Sequence, residues 1–201
     1  MDSYYLYIDE AYKGDFIIIS ALLTSYPSEL KDFPINFHCN DKYEENISLF
    51  REYVKNKELN SSLTLIYSEK GKSLTLKEYI TLYFLLPVTL NNLLIPQAST
   101  LTILVDALDD RIKDYKLNLN VVKSIIGRYT NVKVYIPSPI SRFLSEKGKI
   151  HKKGLLFVDC SSTSLAKGCN IILEGKFKKG IKKFHIDTRG LESIVQTLSE
   201  A

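Results

Sequence analysis

The sequence predicts a mixed α/β domain whose first strands are antiparallel, and three observations lead there. Residues 4–8 and 16–24 are apolar runs rich in Ile, Tyr and Leu, joined by a short segment that holds Gly14, which is the pattern of a β-hairpin. Later strand-like runs at 62–67, 101–106 and 132–136 are separated by helix-spaced stretches, as when helices pack onto a sheet. The chain has 201 residues, 45% of them hydrophobic, which suits one domain with a sizeable core, or one domain with a small appendage.

Taken in order, residues 35–39 read as a third strand. Asn40 or Asp41 then offers an N-cap, and apolar residues at 47, 50 and 54 predict a helix over 42–56. Residues 74–94 form a long apolar helix pattern that Pro87 should kink or split. The run at 101–106 is almost continuously apolar and fits a strand covered on both faces. A helix is expected near 119–128, and Pro137 and Pro139 close the strand before them. Residues 141–153 read as a basic loop. Residues 154–160 fit either a strand or the first turns of a helix running to Leu173, with Gly175 ending it. Residues 175–201 form a basic C-terminal segment with a strand-like stretch and a closing helix over 191–198.

No apolar run approaches the roughly 18 residues that cross a bilayer. The N-terminus lacks the basic start and small-residue cleavage site of a signal peptide, so a cytoplasmic setting is expected. Three cysteines without a short repeated spacing predict buried thiols rather than a disulfide framework or a zinc site. Charge is segregated. Residues 141–190 carry twelve Lys or Arg against four Asp or Glu, while the rest of the chain is net acidic. A basic segment of this kind suits a polyanionic partner, although lysines also simply solubilise a surface.

Asp9, Asp106 and Asp159 share one context, since each ends an apolar run of four or five residues. A single such Asp is most often a turn residue or a helix cap. Its recurrence at three separated places points instead to carboxylates projecting into a crevice at the carboxyl ends of strands. Carboxylates brought together repel, and a hard cation such as Mg²⁺ relieves that repulsion. Glu44 and Glu45 stand at the start of a predicted helix, where the helix dipole alone explains them, or supply a further carboxylate. Glu10 should point to the opposite face of the strand from Asp9. His38 is a candidate for positioning or proton transfer. His151 and His185 sit among basic residues. Asp109 and Asp110 either extend the acidic group or cap the next helix. No phosphate-binding loop or dinucleotide fingerprint is present.

These residues resemble a prokaryotic ribonuclease H-like family of unknown function. Its members open with a strand of the form Tyr-Ile-Asp-Glu-Ser/Ala, as at residues 7–11, followed by a second apolar strand, as at 16–23. The resemblance continues through His38 to Glu45, through the mid-chain strand ending in Asp106, and through a late segment in which Asp159 begins a helix with small residues. It implies a single ribonuclease H-like domain and a carboxylate cluster that binds Mg²⁺ or Mn²⁺ for phosphodiester hydrolysis. Asp9 and Asp106 would bind the metal. Asp159 and Glu44 or Glu45 would complete the cluster, with Glu10 as an alternative ligand. DNA or RNA would be held away from the metal by Lys147, Lys149, Lys152 and Lys153 and by Lys176, Lys178, Lys179, Lys182 and Lys183. The alternative is a non-catalytic module binding nucleic acid or protein on the same fold. A further reading is a viral or mobile-element accessory protein acting as a homodimer.

Overall fold

The structure is a computed structural model and describes residues 2–71 and 73–200. Strand β1 (Ser3–Lys13) turns at Gly14 into β2 (Phe16–Thr24), giving the expected hairpin. Gly14 has a φ of 61°, the left-handed region that such a tight turn needs. Helix α1 (Tyr43–Asn56) follows, then the two-residue β3 (Glu58–Leu59) and β4 (Ser62–Ser68). The long apolar stretch is split as Pro87 demands. Helix α2 (Leu76–Ile80) passes through one turn of π-helix (Thr81–Leu85) into α3 (Leu86–Asn91). A proline has no N–H for the helix ladder and its ring crowds the preceding turn, here the π turn.

Strand β5 (Thr100–Val105), helices α4 (Leu108–Tyr115) and α5 (Leu119–Tyr129) and strand β6 (Lys133–Tyr135) come next. Helices α6 (Ile140–Lys147) and α7 (Lys149–Ala166) follow. The short β7 (Lys176–Phe177), β8 (Ile181–Ile186) and α8 (Thr188–Glu200) close the chain. Six strands form one mixed sheet in the order β6-β5-β1-β2-β4-β8. Strands β1, β2 and β4 are antiparallel neighbours, whereas β5, β6 and β8 join their neighbours in parallel. Strands β3 and β7 pair separately.

Helices cover both faces. On one, Leu6, Ile8, Ile17, Ile19, Ile103 and Val105 pack against the helices between β4 and β6. On the other, Tyr7, Ile18, Leu22, Leu65 and Leu104 pack against α1 and α7. Cys39 and Cys160 are buried free thiols in this second core, and Cys169 is half-buried. Among the described residues no helix is long and apolar enough to cross a membrane.

Three expectations are corrected. Residues 141–153 are not a loop but α6 and the start of α7, because Ile140, Phe143 and His151 bury one side of these helices while their lysines stay outside. Residues 35–39 are not a strand. Their neighbourhood is fixed instead by the Lys153 ammonium, which donates to the carbonyls of Phe33 and Ile35 and to the Asn36 side chain. Asp159 lies neither at a strand end nor at a helix start but well inside α7. Its apolar predecessors, residues 154–158, are all buried because this helix lies flat on the sheet.

Candidate functional site

Helix α7 runs in the same direction as β1, and the side chains show the alignment. His151 lies beside Tyr5 and Tyr7, and Gly154 lies against the Tyr7 ring. A Cβ on Gly154 would meet that ring at 2.5 Å, so only glycine lets the helix come down this close. Eight residues of helix from 151 advance about 12 Å, which carries Asp159 up to the level of Asp9.

Asp9 does not end its strand, since β1 continues to Lys13 and pairs Asp9 with Ser20 of β2. It faces a crevice because its other neighbour stops. The parallel ladder between β1 and β5 ends at Ile8 opposite Val105, and the Asp106 amide donates to the Ile8 carbonyl at 3.1 Å. Continuing that register places Asp106 beside Asp9, with backbones about 5 Å apart, the ordinary spacing of neighbouring strands. The chain then leaves through Ala107, whose φ is 52°.

Asp9, Asp106 and Asp159 line one pocket of about 320 Å³ with Glu10, Tyr12, His38, Asn40, Thr163 and Lys167. Asp9 and Asp159 are buried, and Asp106 is half-buried. Asp9 Oδ1 accepts the amide of Glu10 at 2.8 Å. Among the described residues neither Asp9 nor Asp106 takes part in an ion pair. Burial pushes the Asp9 carboxyl well above the usual range, and the nearby charges of Glu10, Asp106 and Asp159 push the same way.

Asp159 is held differently. Its Oδ2 accepts the Cys39 amide at 2.8 Å and faces His38 Nδ1 at 3.3 Å, while its Oδ1 accepts the Thr163 hydroxyl at 3.2 Å. Both oxygens are engaged, so Asp159 ties the 38–39 turn to α7 and orients His38, whose side chain is 65% exposed. The spacing Asp159 to Thr163 is one helical turn, a signal present in the sequence but weak alone.

The remaining candidates fall elsewhere. Glu44 and Glu45 are exposed on the first turn of α1, outside the pocket, and Glu45 pairs with Lys42 at 3.8 Å. The burial pattern of α1 explains this, since it turns Asn46, Ile47 and Phe50 inward. Glu10 lines the pocket but pairs with Arg111 on α4 at 3.2 Å. Burial raises its carboxyl while Arg111 opposes the rise.

None of the nine candidate lysines lines the pocket. Lys147 at the end of α6 and Lys149 and Lys152 at the start of α7 are exposed. Lys153 is spent on the 33–36 turn, Lys182 donates to the Leu90 carbonyl, Lys178 pairs with Glu58, and Lys179 lies over the Tyr4 ring. Lys176 and Lys183 are exposed. The lysine that does line the pocket is Lys167, with its ammonium 3.9 Å from the centroid of Tyr43. It lies outside the strongest basic clusters, so charge counting passes over it.

Among the described residues no three His, Cys, Asp or Glu side chains converge as a ready metal-binding group. What the pocket offers is two adjacent carboxylates, Asp9 and Asp106, free of ion pairs, with a third whose oxygens are already bonded. That donor set suits Mg²⁺ or Mn²⁺, since Mg²⁺ is bound through one or two carboxylates with water and substrate oxygens completing the shell. The fold and site thus define a mixed α/β protein with an acidic pocket beside the end of a parallel strand. Comparison of the chain with protein-family models, with curated proteins and with solved structures gave no match.

Proposed function

We propose that this protein is a metal-dependent nuclease with a ribonuclease H-like core that hydrolyses phosphodiester bonds in DNA or RNA. The observation that carries the reading is the pairing of Asp9 and Asp106. They continue the register of neighbouring parallel strands into one pocket, and among the described residues neither takes part in an ion pair. The mixed sheet with antiparallel first strands and helices on both faces supports the same reading. Bound Mg²⁺ or Mn²⁺ would activate water and stabilise the leaving oxygen of an in-line displacement.

Asp9 and Asp106 bind the cation on this reading. Asp159 holds His38 at the pocket mouth, where the imidazole can pass a proton to or from a reacting oxygen. Lys167 meets a phosphate oxygen of the bound strand. The exposed Lys149 and Lys152 lie roughly 10–15 Å of helix away from Asp159, and Lys147 precedes them at the end of α6, so all three meet flanking phosphates and not the scissile one. A cytoplasmic setting, where nucleic acid is met, goes with this function.

The test is cleavage of labelled DNA and RNA with Mg²⁺ or Mn²⁺ by the native protein, Asp9→Asn and Asp106→Asn. Each substitution should abolish metal-dependent cleavage while circular dichroism stays unchanged. Cleavage that survives both would refute the reading. A second reading, a non-catalytic nucleic-acid-binding module, is favoured by the absence of a three-ligand group among the described residues. It requires salt-sensitive binding that no divalent ion alters, and no cleavage under any of them.

A further inference from the structure

A cavity of about 970 Å³ lies beside the acidic pocket on the same face of the sheet. The ladder registers define its floor. Ile18, Tyr67 and His185 line it and pair in sequence across β2, β4 and β8, and Ala11 of β1, which lines the acidic pocket, extends the same row. That row lies two residues beyond Asp9 along β1, so its side chains rise from the same face as the Asp9 carboxylate. Tyr67 and His185 stack with ring centroids 4.6 Å apart and planes 7° from parallel. Phe16, 50% exposed, lines the cavity next to them.

The wall between cavity and pocket is the C-terminal end of α7 and the residues just after it. Thr163, Ala166 and Lys167 face the acidic pocket, while Leu165, Gly168 and Asn170 face the cavity. One extended ligand can therefore occupy both. Tyr67 stands two strands from β1, roughly 10 Å across the sheet.

Charge selects what sits where. Among the described residues, Lys167 lines the acidic pocket and Lys13 the larger cavity. Asp15, Glu69 and Asp187 line the outer part of the larger one, and Asp187 also accepts the Gly190 amide. A cavity with these acids disfavours a phosphate but accepts a neutral planar group on its rings. Base faces are covered by their neighbours in a duplex and free in a single strand, where stacking on aromatic side chains is the usual mode of capture.

We propose that the Tyr67–His185 pair is a stacking platform for an unpaired base of single-stranded nucleic acid, next to the phosphodiester held at Asp9 and Asp106. The proposal rests on the nucleic-acid reading of that acidic pocket and adds its substrate class.

The experiment is fluorescence anisotropy of labelled 12-nucleotide single strands, DNA and RNA, and of the matching duplexes, in EDTA so that neither metal nor cleavage contributes. The proteins are the native chain, the double variant Tyr67→Ala/His185→Ala, and Tyr67→Phe, each checked by thermal melting. Stacking predicts that the double variant binds single strands about tenfold or more weakly, that duplex binding is unchanged and weaker than single-strand binding, and that Tyr67→Phe stays near native. Equal single-strand affinity for native and double variant overturns the proposal. So does a preference for duplex, a Tyr67→Phe as weak as the double variant, or a native protein that binds no single strand in EDTA. The two readings fail separately. Absence of cleavage with ring-dependent single-strand binding removes the nuclease and keeps the platform. Asp9-dependent cleavage with ring-independent binding does the reverse.

Discussion

Asp9 and Glu10 are neighbours on one strand, and the protein treats them in opposite ways. Both carboxyls are shifted upward by burial. Glu10 meets Arg111 at 3.2 Å, which offsets the cost of desolvating it. Asp9 meets Asp106 and Asp159, which add to that cost. Elsewhere on the Asp9 face a buried polar group does find a partner, since the Tyr7 hydroxyl bonds His151 Nδ1 at 2.8 Å. A carboxylate left uncompensated where pairing is available is a candidate for chemistry, whereas a paired one is explained by the fold.

The contrast can be broken first at Arg111. Replacing it with methionine leaves Glu10 buried without its cation, and because Arg111 is partly exposed the cost should be about 2–3 kcal/mol, below the range for a fully buried pair. Urea unfolding measures it, and a change under 1 kcal/mol would mean that Glu10 is not held by this pair.

Asp9→Asn should move stability the other way. The folded-state pKa of Asp9 lies above its unfolded value, so its charged form opposes folding once pH exceeds the unfolded value. Asparagine keeps an oxygen for the Glu10 amide and removes the charge. A rise in Tm of about 2–4 °C at neutral pH, equivalent to about 1 kcal/mol in a chain of this size, is expected. A fall in Tm would show that Asp9 is structural.

The smallest effect concerns His151. Burial, aided by Lys147, lowers its pKa. A histidine with a lowered folded-state pKa takes up its proton first in the unfolded chain, so stability is lost as pH falls below about 6.5 toward the folded value. Subtracting the pH profile of His151→Gln from that of the native protein should leave this acid-side loss. Parallel profiles would place His151 in a solvated setting.

Much of this was legible in the sequence. The hairpin, α1, the break at Pro87 and the strand before Asp106 followed from apolar spacing and proline chemistry, which act locally. The opposite facing of Asp9 and Glu10 followed from strand alternation. The interior position of Asp159 did not. A buried helix and a buried strand both read as an unbroken apolar run, and the approach of Gly154 to the Tyr7 ring, which belongs to the helix on the sheet, joins residues far apart in the chain. The helical nature of 141–153 was hidden for a different reason, since its lysines outnumber its buried residues and mask the apolar side. Glu44 and Glu45 stand outside the pocket because α1 turns Asn46, Ile47 and Phe50 inward. The pairing of Glu10 with Arg111 joins residues 101 positions apart, which no local pattern records.

The proposed cation site belongs to the Asp9 face of β1 and not to the Glu10 face. Isothermal titration of Mn²⁺ into the native protein, Asp9→Asn, Asp106→Asn and Glu10→Gln tests it directly. Binding to the native protein and to Glu10→Gln, with loss of binding in both Asp variants, is expected. Equal Mn²⁺ affinity in all four proteins, or loss in Glu10→Gln alone, would contradict it.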